Sequence, residues 1–375
     1  MFQKSTIDFL GRLSEAFGPP GFENEPARLL RDYVAPHCDE VSTDRLGSLL
    51  FRRQGGPDDG PVVLLPGHID EVGFIVAGVN KQGFIAFNPV GGWFDQVLLA
   101  QRVILRTRER KLLPGVIAAK PPHLLEPEER NKVVKQEKMF IDIGASSREE
   151  AEAMGVGIGD PIVPDSRFST MTKPVFEDKK RVGEATLCMG KAFDDRIGAF
   201  MAADVVRRLA EEGRPHPNTV VGAGTVQEEV GLRGARTTAW LARPDVCITL
   251  EVDIAKDVAG VDQEIAPIKM GGGPTILTFD SSMVPNQGLL ELVIETARNE
   301  KIPHQLSQIR RGGTDAGVIH ISNAGCPSVV LGVPTRHIHS HVALLSLEDV
   351  ERCIELVLAV LPRLDRATVD AFTAI

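Results

Sequence analysis

Apolar residues recur at helical spacing where the chain begins. Phe9, Leu10, Leu13 and Phe17 share one face, which predicts an amphipathic helix ended by GPPG at Gly18 to Gly21. A second helix is predicted across Glu25 to Val34. The period then drops to the two-residue repeat of strands in SLLFRR, followed by the turn GGPDDG and the buried-strand run PVVLLPG. From Gly73 to Pro164 short alternating segments (FIVAGV, GFIAFNPV, RVILRTRE, GVIAAK, MFIDIGA) are separated by Gly, Pro and Lys turns. That texture predicts a small all-β barrel or sandwich. One short helix, SREEAEAMG, interrupts it, with Ser147 as its N-cap.

After Pro164 helices and strands alternate. Helices are predicted at Asp195 to Glu211, near Gly234 to Leu241, at Gly288 to Arg298, and from Ser346, where Asp349 completes a capping-box pattern. The strands between them are NTVVGAGTV, DVCITLEV and PSVVLGV. This alternation predicts an α/β fold with a mainly parallel mixed sheet flanked by helices. The barrel is then an insertion. The expected division is a catalytic α/β domain in two parts, 1–72 and 165–375, around an inserted β-barrel at 73–164.

Composition narrows the class. In 375 residues, 43% hydrophobic and 25% charged residues are enough for a real core and too apolar for disorder. A formal net charge of −9 argues against nucleic acid as a partner. No apolar run approaches the ~18 residues of a membrane span, and MFQKSTIDFLGRL lacks a signal-peptide core. Five scattered cysteines fit neither a disulfide framework nor a CxxC zinc site. The expected location is therefore the reducing cytoplasm.

Acidic and imidazole side chains follow four apolar runs. His68 and Asp70 follow PVVLLPG, Glu228 and Glu229 follow NTVVGAGTV, Glu251 and Asp253 end DVCITLEV, and His339 follows PSVVLGV. Asp194 and Asp195 open a helix. Each alone reads as an ordinary loop residue, cap or surface charge. Together they fall where open α/β sheets bind ligands, at the carboxyl ends of strands. His68, Asp194, Glu229, Glu251 and His339 form a donor set for two divalent ions, with Zn or Co best suited to mixed nitrogen and oxygen ligands. Two ions ~3.5–4 Å apart need a bridging carboxylate. Glu228 suits a general base, and Asp70 suits an acid that orients the His68 imidazole. Gly313, Thr314 and Asp315, in GGTDA, either cradle a substrate anion or form a plain turn. There is no GxSxG elbow and no GxGxxG after a first strand, which removes serine hydrolases and nicotinamide enzymes.

Six ordered motifs carry a family likeness: GHIDEVGF at Gly67, AFDDRIG at Ala192, VQEEVGLRGA at Val226, LEVDIAKDVAG at Leu250, RRGGTDA at Arg310 and PTRHIHS at Pro334. With NPVGGWFDQV, GVIAAKPPHLL and FIDIGASSREEA in the insertion, the chain resembles the TET-type aminopeptidases of the cocatalytic metallopeptidase clan over nearly its whole length. The resemblance implies a dinuclear aminopeptidase acting on short peptides, with the barrel as dimerisation domain and dimers built into a tetrahedral dodecamer. It implies one metal on His68, Asp194 and Glu251 and another on Asp194, Glu229 and His339, with Asp194 as bridge. Glu251 replaces the usual Asp, which leaves Asp253 as a rival ligand. His337 and His341 crowd the last motif. A metal-dependent deacylase or other amidohydrolase, and a non-catalytic metal-stabilised assembly protein, remain the alternatives.

Overall fold

The computed structural model describes residues 2–261 and 268–374. Four parallel strands form its centre: β1 (Val62–His68), β2 (Thr219–Thr225), β3 (Val246–Ile254) and β4 (Ser328–Arg336), in the spatial order β2-β1-β3-β4. These are the continuous apolar runs of the sequence, and nearly every residue in them is buried. Strands covered on both faces need apolar side chains in both directions, so their alternation disappears. Antiparallel strands extend the sheet: Leu49–Gln54 and Glu40–Thr43 beyond β2, and Ala343–Ser346, Lys180–Gly190 and Ser169–Glu177 beyond β4. Thr275–Phe279 also pairs with β4 and carries Gln305–Gln308 on its other edge.

Helix α1 (Phe193–Glu212) lies across the central strands and buries Ile197, Phe200, Met201 and Val205 against them. Gly67 permits this approach, because a Cβ there would stand 2.3 Å from the backbone of Gly198 and Ala199. The first two helices form, at Lys4–Glu15 and Asn24–Val34, with the first ending before Phe17 rather than at GPPG. The loop between them is tied down by Arg196 of α1, whose guanidinium is fully buried. It donates to the carbonyls of Leu13, Ser14, Ala16, Gly18 and Ile69 and to Glu71. Lys191, also buried, donates to both oxygens of Glu71.

The inserted segment closes into an antiparallel barrel of Gly73–Val79, Ile85–Val90, Phe140–Asp142, Leu112–Ala118, Arg102–Arg106 and Pro161–Pro164, in that spatial order. It has its own core around Phe74, Ile85, Val103, Ile117, Ile141 and Ile162. Ser147 caps the short helix Arg148–Ala153 by accepting from the Glu150 amide.

Two local expectations change. The hairpin Ser169–Glu177 and Lys180–Gly190 was not legible after Pro164, because its outer part is exposed and its apolar residues there, Met171, Phe176 and Val182, keep no two-residue alternation. Ser346 forms no capping box with Asp349. Its hydroxyl donates to Glu348, and Asp349 instead accepts from the amides of Gly271 and Gly273. A distant glycine turn thus takes the carboxylate that the local pattern assigned to the helix end.

Candidate active site

The carboxyl ends of the central strands deliver the side chains. His68 ends β1, Glu251 lies near the end of β3, Glu228 and Glu229 follow β2, and His339 follows β4. Asp194 enters from the first turn of α1, where Asp194 and Asp195 depart from helical backbone angles. Glu228 and Glu229 sit beyond the strand itself, in a turn where Gln227 has φ +57°. They do not splay as an extended backbone would require; both line the same cavity of about 630 Å³.

The Asp194 carboxylate stands between the two imidazoles. Its Oδ1 lies 3.1 Å from His68 Nε2, and its Oδ2 lies 3.2 Å from His339 Nε2. Glu251 completes one group with His68 and Asp194, and Glu229 completes the other with Asp194 and His339. Within each group the donor atoms lie within 4.8 Å of one another. Asp253 belongs to neither group and lines a neighbouring cavity instead. Glu228 Oε2 lies 3.8 Å from His68 Nε2.

Asp70 is buried beneath these groups. Its carboxylate accepts from the amides of Glu228 and Glu229, both at 3.1 Å, and stands 3.4 Å from His68 Nδ1. The other imidazole, His339, is oriented by the Gly92 carbonyl 2.7 Å from its Nδ1. Gly92 lies between barrel strands, so the insertion reaches the site. The sequence pattern did not reveal this contact, because a backbone carbonyl carries no residue signature.

Burial pushes the carboxyls of Glu228 and Glu251 well above the usual range, and neighbouring acids add to this. Burial, reinforced by Asp194, takes Glu229 to about 8. For Asp194 burial acts upward too, but the two imidazoles outweigh it and hold the carboxyl well below its ordinary value. Burial opposes the charge on His339, yet Asp194 and Glu229 raise it to about 10. Glu229 Oε1 is buried with no hydrogen-bond partner among the described residues. These donors fit divalent cations. Two imidazoles and three carboxylates match a nitrogen and oxygen set, and cations would displace the imidazole protons while relieving the crowded acids.

The remaining predicted residues separate. Gly313 and Thr314 line the cavity with Leu232, Ile309, Arg311 and Ile338. Asp315 is buried and accepts from the Thr225 hydroxyl rather than facing the cavity. The Thr314 hydroxyl donates to Asp280, so neither side chain caps the short helix Ala316–Ile319. His337 has φ +63° and no place in either donor group. His341 is buried against Trp93, and among the described residues neither ring nitrogen has a hydrogen-bond partner. The sequence reading also missed Glu23, whose carboxylate reaches the Gln227 amide.

Comparison with known proteins places these observations. The family model described as M42 glutamyl aminopeptidase matches residues 47–356. The chain is 38% identical to the putative aminopeptidase FrvX of Escherichia coli, over 98% of each chain. It is 32% identical to a lysyl aminopeptidase of Pyrococcus furiosus, over 95% of this chain and 97% of that one. A TET aminopeptidase from a marine sediment Thaumarchaeota archaeon superposes with a TM-score of 0.91 at 53% identity, covering 98% and 99% of the two chains. A Pyrococcus horikoshii TET1 peptidase, described as assembling into a tetrahedron or a large octahedral shell, superposes with a TM-score of 0.80 at 27% identity, covering 95% and 99%.

Proposed function

The chain belongs to the M42 glutamyl aminopeptidase family and is therefore a peptidase, and we propose that it removes N-terminal residues from short peptides with two divalent metal ions, Zn or Co. The observation that carries this reading is the Asp194 carboxylate set between His68 and His339, with Glu251 on one side and Glu229 on the other. Asp194 would bridge the two ions. When bound, the ions would polarise the scissile carbonyl and lower the pKa of an attacking water toward 7.

The chain's own residues do the rest. Glu228, beside both donor groups, takes the proton from the attacking water and passes it to the leaving amine. Its Oε2 lies 3.8 Å from His68 Nε2, and its side chain lines the same cavity as the donor groups. Asp70 fixes the His68 ring and the amides of Glu228 and Glu229. The acidic wall suits the free α-ammonium of a peptide, while Gly313 and Thr314 border the substrate side. The likeness to shell-forming relatives supports a homo-oligomer, with the barrel as its dimerisation unit and a tetrahedral dodecamer as its form. Scattered unpaired thiols favour the cytoplasm.

The test is Glu228→Gln assayed on free-amino and N-acylated peptide panels. Turnover should fall by about 10²–10⁴-fold, with metal content unchanged by elemental analysis. Full activity of the variant would sink the mechanism. Cleavage confined to N-acylated substrates would replace the aminopeptidase by a deacylase.

A further inference from the structure

The segment GPPGFE, from Gly18 to Glu23, follows the first helix, yet its last residue reaches the turn that carries Glu228 and Glu229. Glu23 is only 5% exposed. One carboxylate oxygen, Oε1, accepts from the Gly21 amide at 2.8 Å and from the Gln227 amide at 3.1 Å. Asp70 accepts from the next two amides, Glu228 and Glu229. Three consecutive N–H groups of one turn are thus held by two buried carboxylates from two other parts of the chain. The turn needs such support, because Gln227 occupies the left-handed region at φ +57° without being glycine. The carbonyls of Val226 and Gln227 accept from the amides of Gly234 and Arg233, but the Gln227 N–H is met by Glu23.

We infer that Glu23 is a positioning residue for the catalytic turn: it sets the backbone at Gln227 and thereby aims Glu228 and Glu229 into the site. The inference rests on the roles proposed above for those two residues. Glu23 touches neither substrate nor metal. The Arg196 and Glu71 contacts explain why it is placed so firmly, since they clamp Leu13 to Gly18 against the exit of β1. A rigid N-terminal loop therefore connects the exits of β1 and β2.

Removing the acceptor should loosen the Glu229 end of the site more than the His68 and Glu251 end. Cobalt-loaded full-length protein is challenged with a competing chelator, and release of the two ions is followed separately by absorbance. Glu23→Ala should weaken one cobalt site by about 10-fold, within the range known for groups that orient metal ligands, and leave the other unchanged. kcat should fall with KM unchanged. Glu23→Gln keeps an acceptor oxygen and should restore both readouts. Parent-like release from Glu23→Ala overturns the inference, as does a Glu23→Gln that behaves like Glu23→Ala. If Glu23→Ala does not fold, Glu23→Asp, one methylene too short to reach both amides, should show the same single-site weakening; parent-like release from it is equally fatal. A parent that holds two cobalt ions but cleaves no peptide overturns the peptidase reading, while the release comparison still decides the role of Glu23.

Discussion

Arg196 carries a permanent charge with no exposed surface. Its guanidinium is matched to five carbonyls and Glu71, so its desolvation is compensated by hydrogen bonds rather than by solvent. Arg196→Met would leave those carbonyls and part of the Glu71 charge unpaired. The expected cost is about 3–5 kcal/mol, read as a lower urea midpoint, and Arg196→Lys should not recover it, because one ammonium cannot reproduce a planar fork. A loss below about 1 kcal/mol, the scale of an exposed pair, would mean that water reaches the group. The sequence shows Arg196 as one more helix residue after AFDD. Nothing local distinguishes a buried guanidinium from a solvated one, since its partners lie between 125 and 183 positions away.

At the scale of elements, close packing and a long-range cap decide what pattern alone did not. β1 and α1 meet across Gly67, where an added Cβ would strike the backbone of Gly198 and Ala199. Gly67→Ala should push the helix away and cost about 1–3 kcal/mol. His68 is the next residue, and Asp194 lies on that helix, so activity should fall further than stability. Retained activity at reduced stability would show that the two elements move together. Asp349 makes a different case. Burial, against the pull of the Gly271 and Gly273 amides, raises its carboxyl from 3.8 to about 6. Between those values the folded protein keeps a proton that the unfolded chain has released. Stability contributed by Asp349 is therefore present below the lower value and is lost as pH rises through the window. In urea titrations at pH 4 and pH 6.5, Asp349→Asn should show a smaller decline than the parent; equal declines would remove Asp349 from the pH dependence. The capping-box spacing at Ser346 was legible, but a pair of glycine amides from another loop competes for the same carboxylate.

At the scale of the molecule, the sheet and the barrel have separate apolar cores. The barrel touches the site through Gly92, so the proposed barrel-mediated assembly and the proposed chemistry would share a boundary. Light scattering of the purified protein should give a mass near twelve times 40.7 kDa; a monomeric mass would defeat the proposed dodecamer. Among the described residues no helix is long and apolar enough to cross a membrane. The α/β class, the inserted barrel and the strand ends that carry His68, Glu229, Glu251 and His339 were all legible in the order of residues. Those features are written in local periods of two and 3.6 residues and in the short reach between a strand and its loop. Chain folding placed Glu251, and not Asp253, beside His68 and Asp194 among the described residues, moved Asp315 behind the cavity, and brought the Gly92 carbonyl to His339 and the Glu23 carboxylate to the Gln227 turn. Two acids two residues apart on one strand have the same pattern, and contacts between distant backbone groups leave none. Which acid meets its neighbours is set by where the other strands and loops end, and that is a property of the assembled sheet.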